Sequence, residues 1–489
     1  MIAGEAGRPA DDTGPVGPVA FSALLLLLAT APLMRGGNRH VALIVLEGAA
    51  LAFLAAVAGG LHQRRGRIGL RKALLAFVCL SPLWLALVYL MPLPASLWAM
   101  LPGRGPYLDY LQAAGIPAPG ARALSLAPEA NLPSLLAGLP VAAGFLAGLL
   151  LSLPQLRTAF IVVAALAGLQ TVIGLLQVAG GQDSALLLGA APGRPVGTFA
   201  NPNHFANYVA MGLVAYLWLV RVAAPAIRLE HMVRDPHAAR RRRMLWAGGA
   251  VLLLVGMVMS LSRGALLAAA ATAFAGLLLA GALRGRGSGW RRWVIVGGGL
   301  AAGALMLVGA DAVLERFDRM TTDASVRTIQ AETTMTGALA FWPLGAGWGS
   351  YGAVYPRFQP AALVGTADYT HQDYAQMLFE GGIFALLLMA VVGGLLAQRA
   401  VQLARAASRQ GRLRRHELSA AVCGLGVLGF LLHSLVEFNM HIPANAILAA
   451  LLAGAFLRPL PTAEEVARAL SPCTATSSPA STTAPTAWC

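Results

Sequence analysis

Apolar runs of about 20 residues recur along the chain, each long enough to cross roughly 30 Å of hydrocarbon as a helix. They predict spans near 17–34, 41–60, 73–93, 133–153, 158–179, 204–223, 245–262, 264–283, 293–313, 374–398, 418–436 and 442–457, about twelve helices. The longest polar interruption, 311–373, falls between the ninth and tenth. Its centre predicts a helix from near Val326 to Trp342-Pro343, with Asp323 or Ser325 as the cap. Arg327 falls in the first turn of that helix, where a cation gains nothing from the helix dipole and needs another reason to be there. The glycine-rich turn PLGAGWGSYG follows, and the loop closes on Thr370-His371-Gln372-Asp373 as the next apolar run begins. A polar loop with an arginine, a histidine and glycine turns, held between two spans, has the make-up of an active-site lid. Residues 1–16 are rich in Gly, Pro and Asp and are expected to be disordered, 17–457 form the membrane domain, and 458–489 are a low-complexity tail.

Composition sharpens this picture. The chain is 57% hydrophobic and 12% charged, with a mean hydropathy of +0.67, which excludes a soluble domain of this size. The fold class is therefore all-α, a polytopic membrane protein with a large outer loop between helices 9 and 10. The net charge of +15 does not imply nucleic acid. Its arginines gather in 62–72, 221–243, 283–292 and 399–415, and counting spans puts all four stretches on one face. By the positive-inside rule that face is cytoplasmic, as are both termini. Arg35 and Arg39 are an awkward pair on the other side. The four cysteines, Cys79, Cys423, Cys473 and Cys489, show neither metal spacing nor a disulfide framework.

This sidedness gathers the unusual polar residues on the outer face. GTFANPNHFANY opens the sixth span, with Asn201 and Asn203 around Pro202. It reads either as an Asx-type helix cap or as a helix N-terminus that offers Asn203 and His204 to a sugar or phosphate. SLSRGALL joins the seventh and eighth spans almost without a loop, leaving Arg263 between Ser262 and Gly264 at the outer boundary. That arginine either snorkels or clamps an anion, and its position on the face where positive charge is disfavoured supports the clamp. His371 and Glu380 share the tenth span but point to opposite sides, so they cannot form a dyad, and Glu380 is expected to pack inward against backbone or arginine groups. His433, Glu437, Asn439 and His441 form a second polar cluster, with His433 and Glu437 as an i, i+4 pair on one helix face, read as support for the site. Glu47 lies mid-span without an evident partner. No phosphate-binding loop, metal-ligand cluster or nucleophile elbow occurs.

From about Pro192 to Phe456 the chain resembles the O-antigen ligase and polymerase superfamily of bacterial membrane glycosyltransferases. The resemblance rests on GTFANPNHFANY, SLSRGALL, the Arg327 helix, PLGAGWGSYGAVYPRFQP, THQDYAQMLFEGG and HSLVEFNMHIPAN, in that order and on one face. The segment LPASLWAMLPGRGPYLDYLQAAGIPA is similar to the loop such proteins carry between the third and fourth spans. The usual HN-D/E-Y motif reads His371-Gln372-Asp373-Tyr374, and the tail has no counterpart. The resemblance implies transfer of a glycan from undecaprenyl diphosphate to an acceptor hydroxyl, lipid or glycan, at the periplasmic face of the inner membrane. It implies an inverting reaction without metal, nucleotide sugar or other cofactor. The catalytic residues would be His371, Arg263 and Arg327, with Asn201, Asn203, His204, Ser262, Tyr374 and Arg357 binding substrate. His371 would be general base or diphosphate ligand. The alternatives are a repeat-unit polymerase of the same superfamily and, in another class, a twelve-helix lipid or polysaccharide transporter. Against the transporter, no internal repeat is visible, and the polar motifs gather at one face instead of the midplane.

Overall fold

The computed structural model describes residues 16–62, 69–116, 120–188, 191–223, 236–284, 326–361 and 363–459. In chain order the helices are α1 Pro18–Leu33, α2 His40–His62, α3 Leu70–Cys79, α4 Ser81–Leu90, α5 Ala95–Met100, α6 Gly105–Ala113, α7 Asn131–Leu150 and α8 Leu153–Gly180. There follow α9 Pro202–Trp218, α10 Pro236–Met259, α11 Arg263–Arg284, α12 at 326–340, α13 Tyr351–Val354, α14 Asp373–Gln410, α15 Arg415–His433 and α16 Pro443–Leu457. Among the described residues one short sheet occurs, β1 Pro92–Pro94 antiparallel to β2 Ala121–Ala123.

Eight of these helices are long and apolar enough to cross a membrane, or nine when α3 and α4 count as one bent span. The shorter α1 and α16 are apolar and fall on the expected spans 17–34 and 442–457. The expected span 293–313, the cap residues Asp323 and Ser325, the expected disordered segment up to residue 15 and the tail beyond residue 459 lie outside the described residues. The expected single span 73–93 is in fact bent by 66° between α3 and α4. Pro82 has no N–H to give to the carbonyl of Val78, so the helix breaks there.

Each helix begins where its sequence allows. Ser152 and Gln155 cap α8 reciprocally, with Pro154 in its first turn. Asn201 caps α9 by accepting from Asn203 N–H, with Pro202 at the first position. In the centre α7 and α16 meet backbone to backbone. A Cβ on Gly148 would collide with Leu451, Gly454 and Ala455, and one on Gly454 with Phe145 and Gly148, so only glycine permits this approach.

Contacts sort the connections into two groups. At one end Gln155 donates to Val16, Arg71 and Arg399 to the carbonyls that end α16, Arg458 to Gly148, and Arg415 to Val222. At the other, Arg35 donates to the Leu188 carbonyl, and Arg104, buried against the rings of Trp98 and Phe341, donates to Leu124 and Gly345. The second group lies with several of the polar motifs read from the sequence, the 94–132 segment and the glycine-rich turn among them.

There α14 departs from a plain span. Gly382 sits at φ 47° and breaks the helical geometry. The freed carbonyls of Phe379 and Glu380 accept from Ala346 N–H and Gly347 N–H, and Ile383 N–H donates to Pro343. The glycine-rich turn is thus docked on the kink. Gly345 is needed in that turn, because a Cβ there would lie 2.5 Å from the Glu380 carbonyl oxygen.

Candidate functional site

Three chain segments converge on one carboxylate carried by a fourth. The Glu437 side chain is fully buried in the turn between α15 and α16. His371, at the entry to α14, places Nδ1 2.7 Å from its Oε1. Asn203 of α9 donates from Nδ2 to Oε2 at 2.5 Å. Arg327 of α12 reaches Oε2 at 3.5 Å and donates to the Val436 carbonyl at 3.2 Å. His204 Nε2 lies 3.7 Å from Oε1. The first turn of α12 thus carries a cation because Glu437 is its partner. Burial pushes the Glu437 carboxyl up, but the hydrogen bonds and charges of His204 and His371 outweigh it and hold the group well below the ordinary carboxylate value. Ionised Glu437 can only accept, so His371 carries its proton on Nδ1 and presents the Nε2 lone pair.

Glu437 corrects the i, i+4 expectation. α15 ends at His433, the chain turns through Ser434, and Glu437 faces His371 rather than His433. Glu380 behaves as expected. It accepts from Gly349 N–H, Tyr351 N–H and Gln376 Nε2, fixing the glycine-rich turn from below. A ring of hydrogen bonds continues from there. Tyr351 meets Thr334, Thr334 donates to Gln330, and Gln330 contacts both Tyr369 and His371 N–H.

A second histidine–carboxylate pair crosses the first. Asp373, two residues after His371, accepts from His441 Nδ1 at 2.9 Å, and His441 is four residues after Glu437. Burial lowers the His441 imidazole, yet Asp373 and Glu380 leave it above its ordinary value. Gln376, held by Thr370 N–H at its oxygen, turns its NH2 toward His441 Nε2 at 3.1 Å. Charging His441 therefore requires that amide to turn.

The arginines differ in their engagement. Arg263 starts α11 exposed and has no hydrogen bond or ion pair among the described residues. Its neighbour Gly264 lies against His433 and Val436, the turn that also receives Arg327. Arg194, in the stretch before α9, donates to the Ser260 backbone carbonyl at 2.7 Å and reaches the Asn203 side-chain Oδ1 at 3.5 Å. The turn before Arg263 holds Leu261 at φ 53°, a conformation that costs a non-glycine residue about 1–2 kcal/mol. Ser260 and Ser262 stabilise it by hydrogen bonding.

Of the expected site residues, His371, Arg327, Asn203 and His204 meet around Glu437. Asn201 and Ser262 are helix caps, and Tyr374 donates to the Leu431 carbonyl, holding α14 to α15. Arg357 contacts a different group, donating to Gly103 and lying 5.3 Å from the Tyr107 and Phe358 ring centres. Glu47 is half-buried and has no partner among the described residues. Sequence reasoning missed Arg194 and the pairing role of Glu437. An outer-face arginine between Gly193 and Pro195 was the available signal for the first. For the second there was none, since Glu437 is 66 residues from His371.

Beside the cluster an apolar groove of about 670 Å³ runs between α9, α11 and α15, from Asn207 and His433 at the end nearer the cluster to Arg221 and Leu418 at the other. Among the described residues no group of three His, Cys, Asp or Glu is placed to hold a metal ion.

The family model Wzy_C, described as O-antigen ligase, matches residues 248–390. That stretch contains SLSRGALL, the Arg327 helix, the glycine-rich turn and THQDYAQMLFEGG, and it bears out the resemblance to the O-antigen ligase and polymerase superfamily. The Asn203 and Glu437 segments lie outside it. No curated protein matches the chain.

Proposed function

With residues 248–390 matching that family, we propose that the chain is a membrane glycosyltransferase that moves a glycan from undecaprenyl diphosphate to an acceptor hydroxyl at the periplasmic face of the bacterial inner membrane, inverting the anomeric centre and using no metal. The observation that carries this reading is the His371–Glu437 pair at one end of a groove suited to a lipid chain. The acceptor oxygen attacks the anomeric carbon as the bond to the diphosphate breaks, and the leaving oxygen keeps the electron pair. His371 Nε2 takes the acceptor proton, and Glu437 orients the ring and balances the imidazolium that forms. Diphosphate is already a competent leaving group, so the remaining task is to neutralise its developing charge. Arg263, exposed and without a partner among the described residues, is the best placed for this. Arg327 shares its charge with Glu437, and Arg194 supports from the Ser260 side.

The test is transfer in liposomes holding the lipid-linked glycan and an acceptor. His371→Ala should lose roughly 10²–10⁴-fold in rate while donor affinity is kept. Arg263→Ala should abolish transfer, and Arg263→Lys should recover little, because a point charge does not replace the two-pronged guanidinium. Wild-type turnover in His371→Ala would remove the base, and full activity in Arg263→Ala would remove the clamp. The same residues also serve transfer to a second lipid-linked repeat unit. In a deletion strain, single units left on the lipid point to that polymerase reaction and long polymer to ligation.

A further inference from the structure

One amide stands between the second histidine–carboxylate pair and the residue before His371. Gln376, 1% exposed in the first turn of α14, uses both ends of its side chain. Its Oε1 accepts from the Thr370 N–H at 3.0 Å, and its Nε2 lies 3.1 Å from Glu380 Oε1 and 3.1 Å from His441 Nε2. A backbone N–H can only donate, so the oxygen belongs on the Thr370 side and the NH2 on the other. That NH2 gives one hydrogen to Glu380 and the other to His441, which must therefore present a lone pair on Nε2. His441 carries its proton on Nδ1, toward Asp373 Oδ1 at 2.9 Å, and Asp373 Oδ2 is fixed by the Met440 N–H at 2.9 Å. Thr370 is buried, and Gln330 holds its two neighbours, at the Tyr369 carbonyl and the His371 N–H. Gln376 and Gln330 thus grip residues 369–371 from two sides.

We propose that Gln376 is a positioning residue for His371 and that protonation of His441 releases it. This rests on the transferase reading, in which His371 acts as the base. A proton on His441 Nε2 would face the Gln376 NH2, donor against donor at 3.1 Å. Turning the amide by half a revolution does not solve this, because the NH2 then meets the Thr370 N–H and the oxygen meets the Glu380 carboxylate. No orientation keeps all three contacts once His441 is charged, and the charged state pushes the amide off its seat. Among the described residues the titratable groups facing His441 are Asp373 and Glu380 of α14 and Tyr369, whose ring centre is 4.6 Å away. Burial opposes the imidazolium, but Asp373 and Glu380 favour it and leave the group above its ordinary value. It therefore charges at a higher pH than a free histidine. Its side chain is 24% exposed, which lets water deliver the proton. Glu380 also seats the glycine-rich turn, so the release loosens that turn and the His371 stretch together.

The experiment is hydrogen–deuterium exchange on the full-length protein in nanodiscs without substrate, from about pH 9 to about pH 5, corrected for the intrinsic exchange rate. In the wild type the Thr370 amide should be protected at the alkaline end and exchange roughly tenfold faster at the acid end, with 345–351 following. Gln376→Leu should exchange fast at every pH. His441→Asn keeps a donor for Asp373 but cannot charge, so its profile should be flat. Gln376→Glu gives the sharpest outcome. One of its oxygens accepts from the Thr370 N–H, and the other needs a proton on His441 Nε2, so protection should grow toward acid instead of falling. Gln376→Glu and His441→Asn keep size and polarity and carry the test if the leucine variant does not fold. The proposal is overturned by a flat wild-type profile, by a pH dependence that persists in His441→Asn, or by the wild-type direction in Gln376→Glu. Glycan transfer in the same samples separates the two levels. Gln376→Leu should lose turnover roughly ten- to a hundredfold with KM for the donor kept, and full turnover there removes the positioning role. Exchange as expected with no transfer in the wild type supports the switch and removes the transferase reading; normal transfer with flat exchange does the reverse.

Discussion

At the scale of single residues, Glu437 decides how the site works. Asn203 and His371 donate to one buried carboxylate and Arg327 pairs with it at 3.5 Å, so Glu437→Gln must turn an NH2 toward a group that is itself a donor. His371 then loses the acceptor that fixes its tautomer. The expected result is a fall in turnover of roughly 10²–10⁴-fold with donor affinity largely kept. Equal turnover in that variant would show that His371 does not depend on it. The pH dependence follows from the same contacts. Glu437 is held below its ordinary value of 4.5, so its stabilising contribution is complete above that value and is lost as pH falls through the lowered one. Melting curves of wild type and Glu437→Gln from about pH 3 to 7 should converge only at the acid end. His371, Arg327 and Asn203 were legible in the sequence because each was chemically out of place where it stood. Glu437 was read as a helical neighbour of His433, because spacing shows which residues share a helix but not where the chain leaves it.

Among the elements, the break in α14 carries the most structure. The motifs FEGG and PLGAGWG were visible as glycine-rich sequence, yet their mutual docking was not, since it requires one helix to give up two carbonyls to a loop about 35 residues upstream. Gly382→Ala forces a side chain into a positive-φ position, at a cost of about 1–3 kcal/mol, and against the Pro343 carbonyl and Gly345. The turn should undock, Gly349 and Tyr351 should lose Glu380, and the ring that holds His371 should loosen. The measurable outcome is a lowered melting temperature with at least a tenfold loss of transfer, while the topology of the spans is kept. An unaltered melt would mean that the kink is not what seats the turn.

For the whole molecule, apolar run length and arginine placement made most of the spans legible, since both follow from the bilayer and not from packing. The bend between α3 and α4 and the extension of α14 to Gln410 were not, because run length says little about where a helix breaks or continues. Reporter fusions after residues 75 and 290 should read cytoplasm, and those at 120 and 345 periplasm. A cytoplasmic 345 would dissolve the shared face on which His371, Arg263 and Asn203 are assembled. The groove between α9, α11 and α15 has a kinetic meaning as well. A substrate delivered through it is dissolved in two dimensions, so its activity is a mole fraction of the lipid and not a molarity of the suspension. Adding more vesicles of the same composition leaves each enzyme's turnover unchanged, whereas diluting the donor with inert lipid slows it. For such a catalyst the size of the polyprenyl pool relative to the membrane area, and not its total amount in the cell, sets the pace.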